Sequence, residues 1–353
     1  MKSLAPIVLP PLSALYGAVT RARLSLYRRG TFRTVSLNRP VISVGNITTG
    51  GTGKTPLVEW VAKRLALDGK KVCILTRGYG RPHSDRRVLV SDGTTVFSTA
   101  AEAGDEAYLL ATNLAGIASV ISDANRLSAG EGAIKHLNAD CFVLDDGFQH
   151  LAIARDLNIV TIDATNPWGG GNLLPFGRLR EPLSGLSRAD CVVITRTDQV
   201  EGIQSLRSEI DQLTGGCPVF LSQMQTVRMA PLIDAPIHSP DKLPDKKRSV
   251  AFCAVGNPQS FFKHLRREGY ELTAEKTFPD HHSFTQKDID TVVHDAQQVG
   301  AESLVATAKD AVKLRSLSFA IPCYVLEIEI CIQNMEELTK IIRGAAMRPS
   351  ARL

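Results

Sequence analysis

Hydrophobic residues along the chain gather in short, nearly unbroken runs: Val41 to Val44, Val72 to Leu75, Cys141 to Leu144, Leu157 to Ile162 and Cys191 to Thr195. Between the runs, apolar residues return every three or four positions, as from Thr55 to Leu67 and near Glu102 to Leu114. A short apolar run bounded by polar residues is the mark of a strand covered on both faces, and the intervening period is helical. Strand and helix taking turns predicts an α/β fold, a mostly parallel sheet with helices on both faces. The alternation stops between Thr214 and Arg248, where Gly215, Gly216, Pro231, Pro236, Pro240 and Pro244 accumulate. It resumes with strands at Ser249 to Val255, Leu272 to Lys276, Leu304 to Thr307 and Tyr324 to Ile332, and helices at Pro258 to Glu268 and from Lys287. The composition shift places a domain boundary there: residues 1–37 form an N-terminal segment, 38–215 a larger α/β domain and 216–353 a smaller one. No internal repeat or low-complexity tract interrupts this plan.

The chain has 353 residues, 44% hydrophobic and 22% charged, with 27 Gly and 18 Pro in no period. That composition is globular and excludes disordered, collagen-like and disulfide-scaffold classes. Net charge is only +5, yet residues 1–40 carry Lys2, Arg21, Arg23, Arg28, Arg29, Arg33 and Arg39 and no acid. The uncharged stretch Ser3 to Thr20 is short and interrupted by Pro6, Pro10 and Pro11, so a membrane-spanning helix is not expected. It passes into arginines without a small-residue cleavage site, which argues against a signal peptide. From Pro11, the spacing of Leu12, Leu15, Tyr16, Val19, Leu24 and Tyr27 predicts an amphipathic helix with a basic rim. Such a helix either lies in an anionic membrane surface or packs on its own domain with its arginines in water. Seven cysteines include no CxxC pair, and Cys73, Cys141, Cys191 and Cys253 sit inside strand-like runs. They read as reduced core thiols of a cytoplasmic protein.

The segment from Val41 to Thr55 is a buried strand, a glycine-rich loop and a helix start, in that order. Gly50, Gly51 and Gly53 let backbone N–H groups converge on phosphate oxygens, Lys54 supplies a point charge to the β and γ phosphates, and the Thr55 hydroxyl suits Mg²⁺. The strict P-loop pattern has Gly where this chain has Thr48. Cys141 to Asp146 has the form of a Walker B strand, ending in two acids, Asp145 and Asp146, that point opposite ways on an extended chain. Gly147-Phe148-Gln149-His150 then puts polar groups at the carboxyl edge of the sheet, where open α/β folds bind ligands. Thr195 to Asp198 and Thr307 to Asp310 match the guanine-reading motif of GTPases only loosely, and helix capping explains either.

The loop Asn46 to Pro56, Thr76-Arg-Gly-Tyr-Gly80, Gly104-Asp-Glu-Ala107 and Asp145-Asp-Gly-Phe-Gln-His150 occur in order. With Leu173 to Pro182, Phe278-Pro-Asp-His-His-Ser-Phe284 and Thr307 to Lys313, the chain closely resembles the tetraacyldisaccharide 4'-kinases of lipid A biosynthesis, from the N-terminal helix to about residue 315. That family shares the Thr48 departure. The resemblance implies transfer of ATP's γ-phosphate, with Mg²⁺, to the 4'-hydroxyl of a tetraacylated glucosamine disaccharide 1-phosphate at the cytoplasmic face of the inner membrane. It also implies two α/β domains on a narrow two-stranded linker with the active site between them. A multiply acylated substrate stays in the bilayer, since each buried CH₂ is worth about 0.8 kcal/mol, which gives the basic helix a docking role. No nucleic acid and no obligate protein partner is expected.

Carried onto this sequence, the resemblance places the nucleotide on Thr48, Thr49, Gly50, Gly51, Thr52, Gly53, Lys54 and Thr55, with Gln149 and Arg126. It places the metal on Thr55, Asp145, Asp146 and Glu181. Arg77, Tyr79, His150 and Arg180 would meet the substrate, although Arg77 and Tyr79 could equally touch the nucleotide. An Asp/His pair for the hydroxyl proton falls on Asp105 and His281, with Lys54 as the third catalytic group, and a one-residue slip would exchange His281 for His282. The main alternative is a P-loop GTPase switch or metallochaperone-like protein, which predicts guanine preference through Thr195 to Asp198. A dethiobiotin-synthetase-like ligase would explain the loop and leave the basic helix idle.

Overall fold

The computed structural model describes residues 5–79, 81, 83, 85–232, 246 and 248–347. Residues 1–4, Gly80 of the Thr76 to Gly80 segment, and Pro236, Pro240 and Pro244 of the proline-rich stretch lie outside the described residues.

The chain opens with α1 (Ala5–Arg28), then β1 (Val41–Gly45), α2 (Lys54–Leu67), β2 (Val72–Thr76), β3 (Val88–Ser91), α3 (Ala100–Ala103), α4 (Asp105–Asn113), β4 (Ala118–Ser122), α5 (Arg126–Leu137) and β5 (Cys141–Asp145). It continues with β6 (Leu157–Asp163), β7 (Cys191–Thr195), α6 (Ile203–Thr214), β8 (Val219–Pro231), β9 (Ser249–Cys253), α7 (Pro258–Arg267) and β10 (Leu272–Thr277). The last elements are α8 (Gln286–Gln298), β11 (Ser303–Thr307), α9 (Ala308–Leu314), β12 (Cys323–Ile332) and α10 (Met335–Met347).

The strands form one sheet in the order β10-β9-β11-β12-β8-β7-β6-β1-β5-β2-β4-β3. All neighbours run parallel except β3 with β4 and β8 with β12. This is the α/β architecture the alternation predicts. The central strands β1, β2, β5 and β7 are buried along their whole length, and α2 covers them through Leu57, Val58, Val61, Ala62 and Leu65. Burying a leucine of this kind is worth roughly 1.5–3 kcal/mol. The cysteines are all free, and burial pushes the thiols of Cys73, Cys141 and Cys253 up to about 12, so they are inert core residues.

Three local features differ from the pattern reading. The composition shift between Thr214 and Arg248 contains the long strand β8, which pairs with β7 over Val219 to Leu221 and with β12 over Ser222 to Pro231. Its alternation is hidden because much of its length is only partly buried. The helix expected near Glu102 to Leu114 is broken at Gly104, whose φ of 89° is left-handed and whose Cβ would lie 2.8 Å from the Tyr79 carbonyl oxygen. α10 returns to pack on α2, with Leu338, Ile342, Ala345 and Ala346 in the same core cluster as Leu57.

α1 begins before Pro10 and Pro11 and runs through both. One side docks on the loop after β6: Ser13 Oγ donates to the Leu173 carbonyl at 2.8 Å, Tyr16 Oη donates to the Arg180 carbonyl at 2.8 Å, and Gly17 lies against the Leu173 side chain. The other side leaves Leu12, Leu15 and Val19 exposed at 46%, 62% and 60%. The single apolar face read from the spacing is therefore divided between protein and solvent. Among the described residues, no helix is long and apolar enough to cross a membrane.

Candidate active site

The turn from β1 into α2 is built to hold an anion. Asn46 Nδ2 donates to Thr52 Oγ1 at 2.9 Å, Thr52 Oγ1 is 2.8 Å from Thr161 Oγ1, and Thr195 Oγ1 donates to the Thr52 carbonyl at 3.0 Å. These contacts fix the loop from below. Gly53 has φ 80°, and a Cβ there would lie 2.9 Å from Met224 Cε and 3.2 Å from Thr195 Cγ2. α2 starts without a side-chain cap, so the amides of its first turn stay available to a phosphate at the positive end of the helix dipole. Lys54 Nζ donates to Asn46 Oδ1 at 3.2 Å and lies 3.3 Å from Asp146 Oδ1. Thr49, Gly50, Gly51, Thr52, Gly53, Lys54 and Thr55 line a cleft of about 1020 Å³. Thr48 does not reach it. It is buried, bridges Leu179 and borders a smaller cavity on the other side of the loop.

The two acids after β5 separate sharply. Asp145 is buried beneath the cleft, where its Oδ2 accepts from Thr76 Oγ1 at 2.9 Å. Burial, and then the charges of Glu106 and Asp146, push its carboxyl up. Asp146 adopts a left-handed φ of 53°, which turns it into the cleft, 2.5 Å from Arg180 Nη1. Burial alone would raise its carboxyl, but Lys54 and Arg180 hold it well below the usual range. Of the two, Asp146 alone lines the cleft.

Gln149 Nε2 donates to the Asn46 carbonyl at 2.8 Å and to Glu181 Oε1 at 2.7 Å, while Arg188 Nη2 donates to Glu181 Oε2 at 2.7 Å. Both Glu181 oxygens accept hydrogen bonds, so Glu181 braces Gln149 and Arg188 while it lines the same cleft. Arg126 is buried at the start of α5, with Nη2 donating to the Asp145 carbonyl at 2.7 Å. Arg77, Tyr79, Arg126 and His150 line the cleft together with Tyr16 and Arg23 of α1. Burial, followed by the charges of Arg126, Arg155, Arg23 and Arg77, pushes His150 down to about 4. A neutral imidazole among arginines marks a strongly positive wall.

Asp105 opens α4, and His281 sits in the loop after β10 with φ 61°. His281 Nδ1 lies 3.5 Å from Asp105 Oδ2, and Lys313 Nζ is 3.1 Å from the same oxygen. Burial raises the Asp105 carboxyl, but His281 and Lys313 outweigh it and keep it low. His281 lines the cleft and Asp105 stands behind it. Lys309 Nζ is 3.3 Å from His281 Nε2 and 3.0 Å from Glu106 Oε1. His282 faces elsewhere: it stacks on Phe278 with centroids 4.9 Å apart, and its Nε2 lies 3.2 Å from Asp288, which sits in the capping box of α8. The geometry thus pairs His281, not His282, with Asp105.

Lys309 and Lys313 are site residues that sequence reasoning treats only as part of a motif. Their signal is a four-residue spacing on one helix face, directed at the acids of α4. Thr307 caps that helix, accepting from Asp310 N at 3.1 Å. Asp198 is ion-paired with Arg267 and does not line the cleft, so it cannot read a guanine edge there.

Residues 5–346 match the family model described as tetraacyldisaccharide-1-P 4'-kinase. A tetraacyldisaccharide 4'-kinase from Geobacter metallireducens is 42% identical over 307 residues, 87% of this chain and 88% of that one. Its counterpart from Geobacter sulfurreducens is 40% identical over 326 residues, 90% of this chain and 87% of that one. A crystal structure of LpxK from Aquifex aeolicus in complex with ATP superposes with a TM-score of 0.75 at 31% identity, covering 97% of this chain and 99% of that chain. The chain belongs to the tetraacyldisaccharide 4'-kinase family.

Proposed function

We propose that this kinase transfers the γ-phosphate of ATP to the 4'-hydroxyl of a tetraacylated disaccharide 1-phosphate. The observation that carries this reading is one cleft lined together by the phosphate loop and Asp146, by His281 and Lys309, and by an arginine-rich wall that includes Arg23 of α1. Lys54 and the α2 amides would hold the β and γ phosphates, with Thr48 acting only through the loop's packing. Asp105 and His281 would orient the sugar hydroxyl and take its proton. Arg180 keeps Asp146 ionised, and Gln149 and Glu181 brace the loop from the side.

The donor set suits Mg²⁺. Asp146 Oδ1 is buried, accepts no hydrogen bond and has only the Lys54 ammonium at 3.3 Å, while Thr55 lines the same cleft, and both residues offer hard oxygen ligands. The described residues hold no group of three or more His, Cys, Asp or Glu that would cage a metal, and Mg²⁺ at a nucleotide needs none because waters and phosphates complete its shell. When bound by Thr55 and Asp146, the ion supplies neutralisation of charge on the transferring phosphoryl group.

Arg23, Arg77, Arg126 and His150 would receive the 1-phosphate, with Tyr79 beside Arg77. NMR titration of His150 tests this. Bound phosphate favours the imidazolium, so the pKa should rise from about 4, and the lipid should bind more tightly as pH falls through the raised value. An unchanged His150 titration with the 1-phosphate lipid in micelles would remove the group from the phosphate site.

We place the enzyme peripherally on the cytoplasmic face of the inner membrane, with Leu12, Leu15 and Val19 in the bilayer surface. Leu15→Glu should reduce co-sedimentation with anionic phospholipid vesicles by more than about tenfold, the effect of one leucine's burial. Equal sedimentation of the variant would contradict this placement. The chain is also taken to work as two bodies, 38–215 and 216–353 with α10 carried on the first, joined through the β8–β12 ribbon.

A further inference from the structure

The turn after β9 reaches across to the phosphate loop at a point the chemistry above does not use. A Cβ at Gly256 would lie 2.5 Å from Gly51 N and 2.9 Å from Gly50 Cα, so only glycine lets the two backbones approach this closely. Arg178 Nη2 donates to the Gly256 carbonyl at 3.4 Å, and the Arg178 carbonyl accepts from Thr49 N at 2.7 Å, tying the same turn and loop to a third segment.

Asn257 bridges the same gap with both ends of its amide. Its Oδ1 accepts from Ser260 N at 3.2 Å and caps α7. Its Nδ2 donates to Asp163 Oδ2 at 2.9 Å and to Thr165 Oγ1 at 3.2 Å, across 94 residues of sequence. Asp163 is buried at the end of β6, paired with Arg196 at 2.5 Å, and its Oδ1 accepts from Thr165 N at 3.0 Å. β6 is the direct neighbour of β1, the strand that carries the phosphate loop.

We propose that Asn257 is a positioning residue for ATP, clasping the β9–α7 turn onto the phosphate loop through Asp163. The glycines of that loop have many backbone states to lose on binding phosphate. A turn seated on Gly50 and Gly51 removes part of that freedom in advance, so the amides meet the phosphates already arranged. The clasp is separable from the cap, since aspartate caps a helix as well as asparagine does but cannot donate to Asp163.

The inference rests on the nucleotide reading above, and the test separates the two. A fluorescent ATP analogue with Mg²⁺ is titrated against the full chain, Asn257→Asp, Asn257→Ser, and the exchange Asn257→Asp with Asp163→Asn, and each protein is also melted. Asn257→Asp sets two carboxylates against each other and should weaken binding about tenfold or more at a melting temperature near that of the native chain. Asn257→Ser keeps a cap but cannot span the gap, so it should also weaken binding and serves if the aspartate variant fails to fold. The exchange restores a donor facing an acceptor and should recover most of the affinity. Native affinity in both single variants, or an exchange no tighter than Asn257→Asp alone, would overturn the clasp. A native chain that binds no ATP analogue would overturn the nucleotide reading, and the clasp with it.

Discussion

Lys54→Ala is expected to abolish phosphate transfer while the protein stays folded. Lys54 is the side-chain cation at the mouth of the α2 amides, held by Asn46 at 3.2 Å and Asp146 at 3.3 Å. Transfer of a phosphoryl group is governed by positioning and by charge stabilisation in a water-poor site, where one preorganised donor is worth about 10²–10³ in rate. Losing a full charge should cost at least the upper part of that range. Arg180 remains 2.5 Å from Asp146, so the buried carboxylate keeps a counter-charge and the fold is preserved. Lys54→Arg should not restore turnover, because a planar guanidinium does not replace a compact ammonium at this depth. The check is kcat at saturating ATP beside a thermal melt. Turnover within tenfold of the native chain would remove Lys54 from the phosphate site.

Asp105→Ala should lower kcat by about 10²–10⁴ while leaving the KM for ATP nearly unchanged, the range expected for removing a general base. Asp105 opens α4, behind the cleft lining, and touches His281 and Lys313. Its carboxyl is held low, so it is ionised throughout the neutral range, and activity should fall on the acid side as it takes up a proton. His281→Ala should act in the same direction, because His281 lines the cleft and its Nδ1 lies 3.5 Å from Asp105 Oδ2. His282→Ala should not, since that ring stacks on Phe278 and sits beside the cap of α8. Native kcat in Asp105→Ala, or a change confined to the KM for ATP, would remove the Asp105–His281 pair from proton transfer.

Much of this site is legible in the sequence because its parts are contiguous. The phosphate loop, the two acids after β5 and the Gln149–His150 pair each lie within a few residues of a strand end, and a parallel sheet brings strand ends to one edge. What sequence does not convey is the direction in which each side chain leaves the backbone. Asp145 and Asp146 are adjacent and acidic, yet a left-handed φ at Asp146 puts one in the cleft and leaves the other beneath it. Glu181 reads as a metal ligand by its charge, and the sequence does not show that both its oxygens also accept hydrogen bonds, from Gln149, 32 residues before it, and from Arg188, seven residues after it.

The fold shows the same division. Strands buried on both faces, such as β1 and β5, announce themselves as apolar runs. β4 is equally buried, but its Ala118-Ser-Val-Ile-Ser122 carries too little hydrophobic contrast to stand out. β8 hides in a glycine- and proline-rich neighbourhood because its outer half packs against β12 alone. Tyr16 reads as part of the apolar face of α1, whereas its hydroxyl, with that of Ser13, fastens the helix to Arg180 and Leu173. Contacts across such distances have no local signature, since they depend on which surfaces the sheet brings together.

The most direct test of the account is the position of the transferred phosphate. The protein is incubated with γ-labelled ATP, Mg²⁺ and a tetraacyldisaccharide 1-phosphate in detergent, and the lipid product is examined by phosphorus–proton correlation NMR. The account predicts one new phosphomonoester coupled to the proton at the 4' carbon, absent with Lys54→Ala. Label recovered only as free phosphate, or on any other hydroxyl, would contradict it.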